Sequence, residues 1–249
     1  MTASRQLALP FTLSQIYDAG DFLADESNAT ARAWLDATRL DEAWPAHRLA
    51  LWGDEGCGKS HLLHVWTRNH GGVLLPGCGL RGMQPLADLL PGLLHVGGIA
   101  VDDADMAPEE PLLHLMNAAA EAGVPLLLAA RDAPARWPTR LPDLASRLRA
   151  MTVAQVHPPG EAMLRVLLSR LLSARQLVVA EPVQEWLLLH LPRHPAALRE
   201  AAARLDHTAL AAGRPVTRAL AASIVAEIAA PDGPASDGPA NWQPATRFL

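Results

Sequence analysis

Up to residue 160, short apolar runs alternate with segments whose apolar positions recur every three or four residues. The runs lie at 48–52, 73–75, 99–101, 124–130 and 151–156. Each has the length of a strand, and its nearly unbroken apolar character suits a strand buried on both faces. Between them, helical spacing predicts helices at 29–40, 60–66, 111–122 and 143–149, with a loop at 136–142. Strands alternating with helices predict an α/β fold, a parallel sheet with helices on both faces. After His157-Pro-Pro-Gly160 the pattern changes. Amphipathic helices are predicted at 161–174, 182–191, 195–212 and 216–229, with no strand between them. The expected organisation is an N-terminal segment (1–12), an α/β base (13–159), a small all-helical domain (160–229) and a disordered tail (230–249) rich in Pro, Gly and Ala.

Composition narrows the class. The chain has 249 residues and a formal net charge of −5, which argues against bulk electrostatic binding of nucleic acid. Two cysteines, Cys57 and Cys78, provide no disulfide framework and fit a reducing cytosol. The N-terminus lacks the apolar core of a signal peptide, and no uncharged apolar run approaches the roughly 20 residues that span a bilayer. The expectation is a cytoplasmic protein without a membrane partner.

The first strand runs into Gly53-Asp-Glu-Gly-Cys-Gly-Lys-Ser60, with a helix following. The spacing G-x-x-x-x-G-K-[ST] between strand and helix is that of a phosphate-binding loop. Glycines at positions 53, 56 and 58 let backbone N–H groups turn toward a polyphosphate, with Glu55 and Cys57 between them. Lys59 reaches the outer phosphates and the Ser60 hydroxyl meets Mg²⁺. Of the 21 basic residues, Lys59 is the only lysine, so a chain otherwise committed to arginine keeps one compact ammonium here. The cofactor expected is ADP or ATP with Mg²⁺. Asp102 and Asp103 end a later apolar strand, which suits Asp102 to holding Mg²⁺ through water and Asp103 to orienting a hydrolytic water. The run lacks the glycine and closing glutamate of a calcium loop. His61 and His64, spaced i, i+3, have no third ligand at metal spacing, and Pro192 interrupts His190 and His194, so neither pair reads as a zinc site. The arginines of the helical domain, among them Arg193, Arg199, Arg204, Arg214 and Arg218, read as solvated helix faces.

The string from Trp52 to His64 (WGDEGCGKSHLLH) resembles the AAA+ core of bacterial DnaA-type replication initiators. So do Asp21-Phe-Leu and Ser27-Asn28 upstream, Val101-Asp-Asp103, and Leu141-Pro-Asp-Leu-Ala-Ser-Arg-Leu148. The likeness runs over roughly residues 15–228. Two departures narrow it: no DNA-binding helix-turn-helix domain is expected after the helical lid, and Gln6-Leu-Ala-Leu-Pro-Phe11 is similar to the peptide that bacterial proteins insert into the DNA polymerase sliding clamp. Together these features resemble the Hda family of DnaA homologues.

The resemblance implies an AAA+ base and lid that bind nucleotide, with His61 and Asn28 joining the phosphate loop as nucleotide contacts. It implies docking on the β-subunit clamp of DNA polymerase III through Gln6, Leu7, Leu9, Pro10 and Phe11. A glutamine amide and three apolar anchors, stiffened by a proline, suit such a docking peptide. The second implied partner is the DnaA initiator, whose ATP hydrolysis an arginine finger, Arg147, would stimulate in trans. DNA would be met only indirectly, through the clamp at the replisome, and a homo-oligomer is compatible. Intrinsic hydrolysis is expected to be weak or absent. Ala129 and Ala130 stand where the family places a polar γ-phosphate sensor, and the lid's sensing arginine falls near Ala196, flanked by Arg193 and Arg199. A helicase loader or an initiator-binding scaffold is the alternative reading.

Overall fold

The computed structural model describes residues 23–36, 44–82, 92, 95–212 and 215–229. The clamp-like segment 6–11 and the tail 230–249 lie outside them. Five strands form one sheet: β1 (Arg48–Trp52), β2 (Val73–Pro76), β3 (Ile99–Asp102), β4 (Leu126–Ala130) and β5 (Thr152–Gln155). Their order is β2-β3-β4-β1-β5 and every pair is parallel. Each predicted strand is present within two residues of its expected bounds, and β3 runs one residue further to take in Asp102.

A strand's alternating side chains divide the core in two. On one face, Ala50, Ile99, Val101, Leu126 and Leu128 pack against Leu112, Leu115 and Met116 of α3 (Glu109–Ala122) and Leu144 and Leu148 of α4 (Pro142–Arg149). On the other, Leu49, Leu51, Ala100, Leu127 and Ala129 pack against Ala31 and Leu35 of α1 (Ala29–Leu35) and Leu62, Leu63 and Trp66 of α2 (Lys59–His70). Helix α1 ends at Leu35, capped by Asp36, and residues 37–40 of the predicted span lie outside the described residues. Helix α2 continues to His70, four residues past its prediction, until Gly71 takes a left-handed φ of 62° and closes the helix.

A third core draws on residues beyond Gly160 alone. It joins α5 (Glu161–Ala174), α6 (Glu181–His190), α7 (Pro195–Ala212) and α8 (Arg218–Ala229) through Leu164, Leu168, Leu187, Leu198, Leu205 and Ile224. No strand interrupts these helices among the described residues.

Trp66 is the largest anchor of the α2 face. It is 2 % exposed, stacks on Trp44 at 5.3 Å and on His70 at 5.1 Å, and touches the backbone at Gly98, where an added Cβ would lie 2.3 Å from the indole. Trp66→Ala is expected to cost about 3–5 kcal/mol in chemical denaturation. Val178→Ala, at a position 90 % exposed, should stay within about 0.5 kcal/mol.

Candidate functional site

The phosphate loop leaves the carboxyl end of β1 and enters α2 at Lys59. Two glycines are needed for its shape. A Cβ on Gly53 would lie 2.1 Å from the Val156 carbonyl, and Gly58, with φ of 107°, adopts a conformation other residues rarely reach. A Cβ on Gly58 would meet no atom within 4 Å, so the loop is open on that side.

Lys59 is 7 % exposed. Its ammonium donates to the Gly53 carbonyl at 2.7 Å and the Asp54 carbonyl at 2.9 Å, with Cys57 Sγ at 3.8 Å. No carboxylate pairs with it among the described residues. A buried cation held only by neutral dipoles is expensive unless an anion completes its surroundings, so this cradle fits a polyphosphate. Burial pushes the Cys57 thiol up, although the nearby ammonium opposes the shift.

Glu55, Gly56, Gly58, Lys59, Ser60 and His61 line a cavity of about 530 Å³, closed on the other side by His194, Pro195, Ala196 and Arg199 of the lid. Gly53 and Cys57 sit behind the loop instead. The first accepts from Lys59 and the second packs into the core. Asn28 is not among the lining residues. Its amide accepts from the Asp25 N–H at 3.2 Å and donates to the Leu23 carbonyl at 3.0 Å, so the side chain is spent on a local cap. His64 is likewise turned onto its own helix, with Nδ1 2.8 Å from the Ser60 carbonyl.

Among the lid arginines flanking Ala196, the structure brings Arg199 to the cavity. Its Nη2 donates to His61 Nδ1 at 3.2 Å, joining lid to base. Arg193 lines a different cavity. His194 caps α7, its Nδ1 accepting from the Ala197 N–H at 3.2 Å. It also sits so close to the loop that a Cβ on Gly56 would lie 2.6 Å from the His194 Cβ. Sequence spacing did not single out this contact, because it joins residues 138 positions apart.

The acids sit at the carboxyl end of β3. Asp103 takes a left-handed conformation (φ 46°, ψ 49°), tolerated by aspartate and common where a site imposes its geometry. Burial holds its carboxyl above the usual carboxylate range, reinforced by Asp102 and Asp105 and opposed by Lys59 and Arg131. These influences place Asp103 electrostatically within the loop's surroundings. No cluster of three or more His, Cys, Asp or Glu ligands occurs among the described residues. The Ser60 hydroxyl and the Asp102 carboxylate are hard oxygen donors of the kind Mg²⁺ takes, one or two from protein with waters and phosphate completing the shell. Ser60 and Asp102 are the residues that would hold it.

Arg131, directly after Ala129 and Ala130, was not anticipated. Its Nη2 donates to Glu55 Oε2 at 2.7 Å and its carbonyl accepts from the Gly53 N–H at 3.1 Å. The alanines are fully buried strand residues, and the first polar group beyond them clasps the phosphate loop.

Arg147 lies at the other end of the sheet. It is in the last turn of α4, which leads into β5 at Thr152, and Thr152 pairs with Leu49 near the start of β1. The charges of Arg147 and Asp143 act on Arg48, the first residue of β1, whose own guanidinium pKa is lowered chiefly by burial. Five strand residues, about 16 Å, therefore separate its level from the phosphate loop. Arg147 is 33 % exposed and donates to Asp143 at 3.1 Å across one helical turn, an ion pair weak enough to exchange.

No protein-family model matches the chain. Solved structures do. Domain III of the Thermotoga maritima replication initiation protein DnaA superposes with a TM-score of 0.69 at 20 % identity, over 86 % of this chain and 98 % of that one. AMPPCP-bound DnaA from Aquifex aeolicus gives 0.63 at 15 % identity, over 77 % of this chain and 65 % of that longer one. A Thermotoga maritima RuvB variant gives 0.65 at 15 % identity, over 85 % and 72 %. The five-stranded parallel sheet with helices on both faces is the AAA+ fold in the form it takes in DnaA and RuvB.

Proposed function

We propose that this protein binds a nucleoside di- or triphosphate with Mg²⁺ and acts as a clamp-bound regulator of replication initiation, stimulating ATP hydrolysis in a DnaA-type initiator. The observation that carries this reading is the separation of Arg147 from the chain's own phosphate loop. A cation at the opposite end of the strands serves a phosphate held by another molecule. Several further features support it: the DnaA-like fold, the phosphate loop facing a lid arginine, and the clamp-like peptide in the sequence.

Nucleotide bound at the chain's own loop would meet Lys59, the N–H groups of Gly56 and Gly58, Ser60 and His61, with Arg199 reaching it from the lid. Mg²⁺ at Ser60 and Asp102 would neutralise phosphate charge. The alanines at the end of β4 donate no hydrogen bond to developing charge, so turnover at this site is slow. The nucleotide therefore acts as a brace between base and lid, and Asp103 is the residue available to orient water in residual hydrolysis. Arg147, released from Asp143, supplies a guanidinium to the γ-phosphate in the initiator's site. Docking of Gln6, Leu7, Leu9, Pro10 and Phe11 on the DNA polymerase III β clamp concentrates the protein where the initiator is to be switched off, so DNA is met only through the clamp.

The deciding experiment is ATP hydrolysis by the initiator with DNA-loaded clamp, with and without this protein. Stimulation supports the proposal. Unchanged hydrolysis makes the protein a scaffold, and rapid DNA-stimulated turnover of its own makes it a loader or motor. Arg147→Ala should keep clamp binding and lose stimulation by on the order of 10³-fold. Lys59→Ala should weaken ADP and ATP binding by at least about tenfold in calorimetry, consistent with loss of one charge-assisted contact of about 1.5–3 kcal/mol. Gln6→Ala with Leu7→Ala should abolish clamp binding in a purified assay while leaving nucleotide affinity unaltered.

A further inference from the structure

Helix α6 carries more apolar surface than the lid core takes up. Val183 and Leu187, one turn apart, are buried in that core, and Trp186 and Leu188 pack partly against it. Leu189 is 74 % exposed, a large aliphatic side chain left in water. Trp186, Leu188 and Leu189 together form the apolar wall of a second cavity, of about 540 Å³, that shares no residue with the nucleotide cavity. Pro159 and Gly160, from the connection between base and lid, also line it.

The charges of this groove do not balance. Arg165 is bridged at 3.3 Å to both Glu161 and Glu185, so a single guanidinium engages both acids that line the groove. Asp25 reaches its Gly160 end, where the carboxylate accepts from the Gly160 and Ser27 backbone. Arg193 and Arg218, both exposed, have no carboxylate partner among the described residues. Arg218 is held instead 5.8 Å over the Trp186 ring. Two uncompensated guanidinium groups beside an apolar wall complement carboxylates that flank an apolar anchor. A nucleic acid fits this surface less well. Its phosphates would run past Glu161 and Glu185, in a chain whose net charge is −5. The Trp186 ring already stacks on His190 at 4.1 Å and carries Arg218, which leaves little of it to receive a base.

We propose that this lid groove is the docking site for an acidic peptide segment of a partner protein, with its carboxylates on Arg193 and Arg218 and an aromatic or leucine side chain on Leu188 and Leu189. The planar fork of each guanidinium matches a carboxylate two N–H groups at a time. An apolar side chain laid over Leu189 removes water from the same spot, which strengthens the pairing beside it. The bound peptide also lies against Pro159 and Gly160, and so against the joint between base and lid. None of these residues belongs to the nucleotide cavity or to the Arg147 helix, so the inference holds whether or not the initiator and the clamp are partners.

The test is selection of a random dodecapeptide library, displayed on phage, against the full chain, followed by titration of the recovered sequences as labelled synthetic peptides in fluorescence anisotropy. The recovered peptides should carry Asp or Glu beside Phe, Tyr, Trp or Leu. Arg193→Glu with Arg218→Glu should weaken their binding at least about tenfold, and Leu189→Ser, a change at the surface, at least about threefold. The same peptides with arginine in place of each acid should bind the doubly substituted protein more tightly than the unaltered one, a gain that an unfolded lid would not give. Peptides that lack acidic residues, or none that saturate below about 1 mM, overturn the proposal, as does affinity indifferent to these substitutions. Displacement of the peptides by oligothymidylate also overturns it and assigns the groove to single-stranded nucleic acid.

Discussion

Arg48 pairs with Leu126 and Trp52 with Ala130, and the remaining strands run in the same direction. Parallel pairing brings all carboxyl ends to one rim, so the phosphate loop after β1, the acids after β3 and the clasp residue after β4 meet without any being near in sequence. It equally sends the α4–β5 connection to the opposite rim, and with it Arg147. Insertion of β4 between β1 and β3 opens room between loop and acids for phosphate and metal. Such crevices outside the carboxyl ends of strands, where connections diverge, are where α/β sheets bind ligands.

Much of this was legible in the chain. Continuous apolar runs marked the strands because a doubly covered parallel sheet buries nearly every position of its inner strands β1, β3 and β4, while the edge strands β2 and β5 are only partly covered, and the change to unbroken helical periodicity after Gly160 anticipated a separate helical core. The loop from Gly53 to Ser60 was readable because its chemistry is local: backbone conformation, one ammonium and one hydroxyl within eight positions. What escaped reading was long-range. Arg199, rather than Arg193, reaches His61 because α7 begins at Pro195 under the His194 cap, and the phase of a helix over a neighbouring surface is not written in its own periodicity. Glu55 and Arg131, 76 positions apart, meet only because β1 and β4 are adjacent. The Asn28 amide, too, has partners that periodicity does not reveal: it accepts from the Asp25 N–H and donates to the Leu23 carbonyl, closing the turn before α1.

The electrostatics of the loop show how a small site holds a cation out of water. Lys59 is oriented by carbonyl dipoles of the loop that contains it, so its position follows from the backbone path, and that path follows from Gly53 fitting under Val156. Charge placement is thereby built into covalent geometry and needs no partner carboxylate to be kept in register, leaving the ammonium available to phosphate.

The connection between base and lid has mechanical content. Pro158 and Pro159 hold their φ angles near one value, and His157 is tied to Ser27 through its N–H. Torsional freedom between the two bodies is thus concentrated in the ψ angles of the prolines and in Gly160, which is extended (φ −68°, ψ 164°) at the start of α5. Because His194 lies so close to Gly56 that an added Cβ would fall 2.6 Å from its own Cβ, any side chain at position 56 would hold the lid away from the phosphate loop.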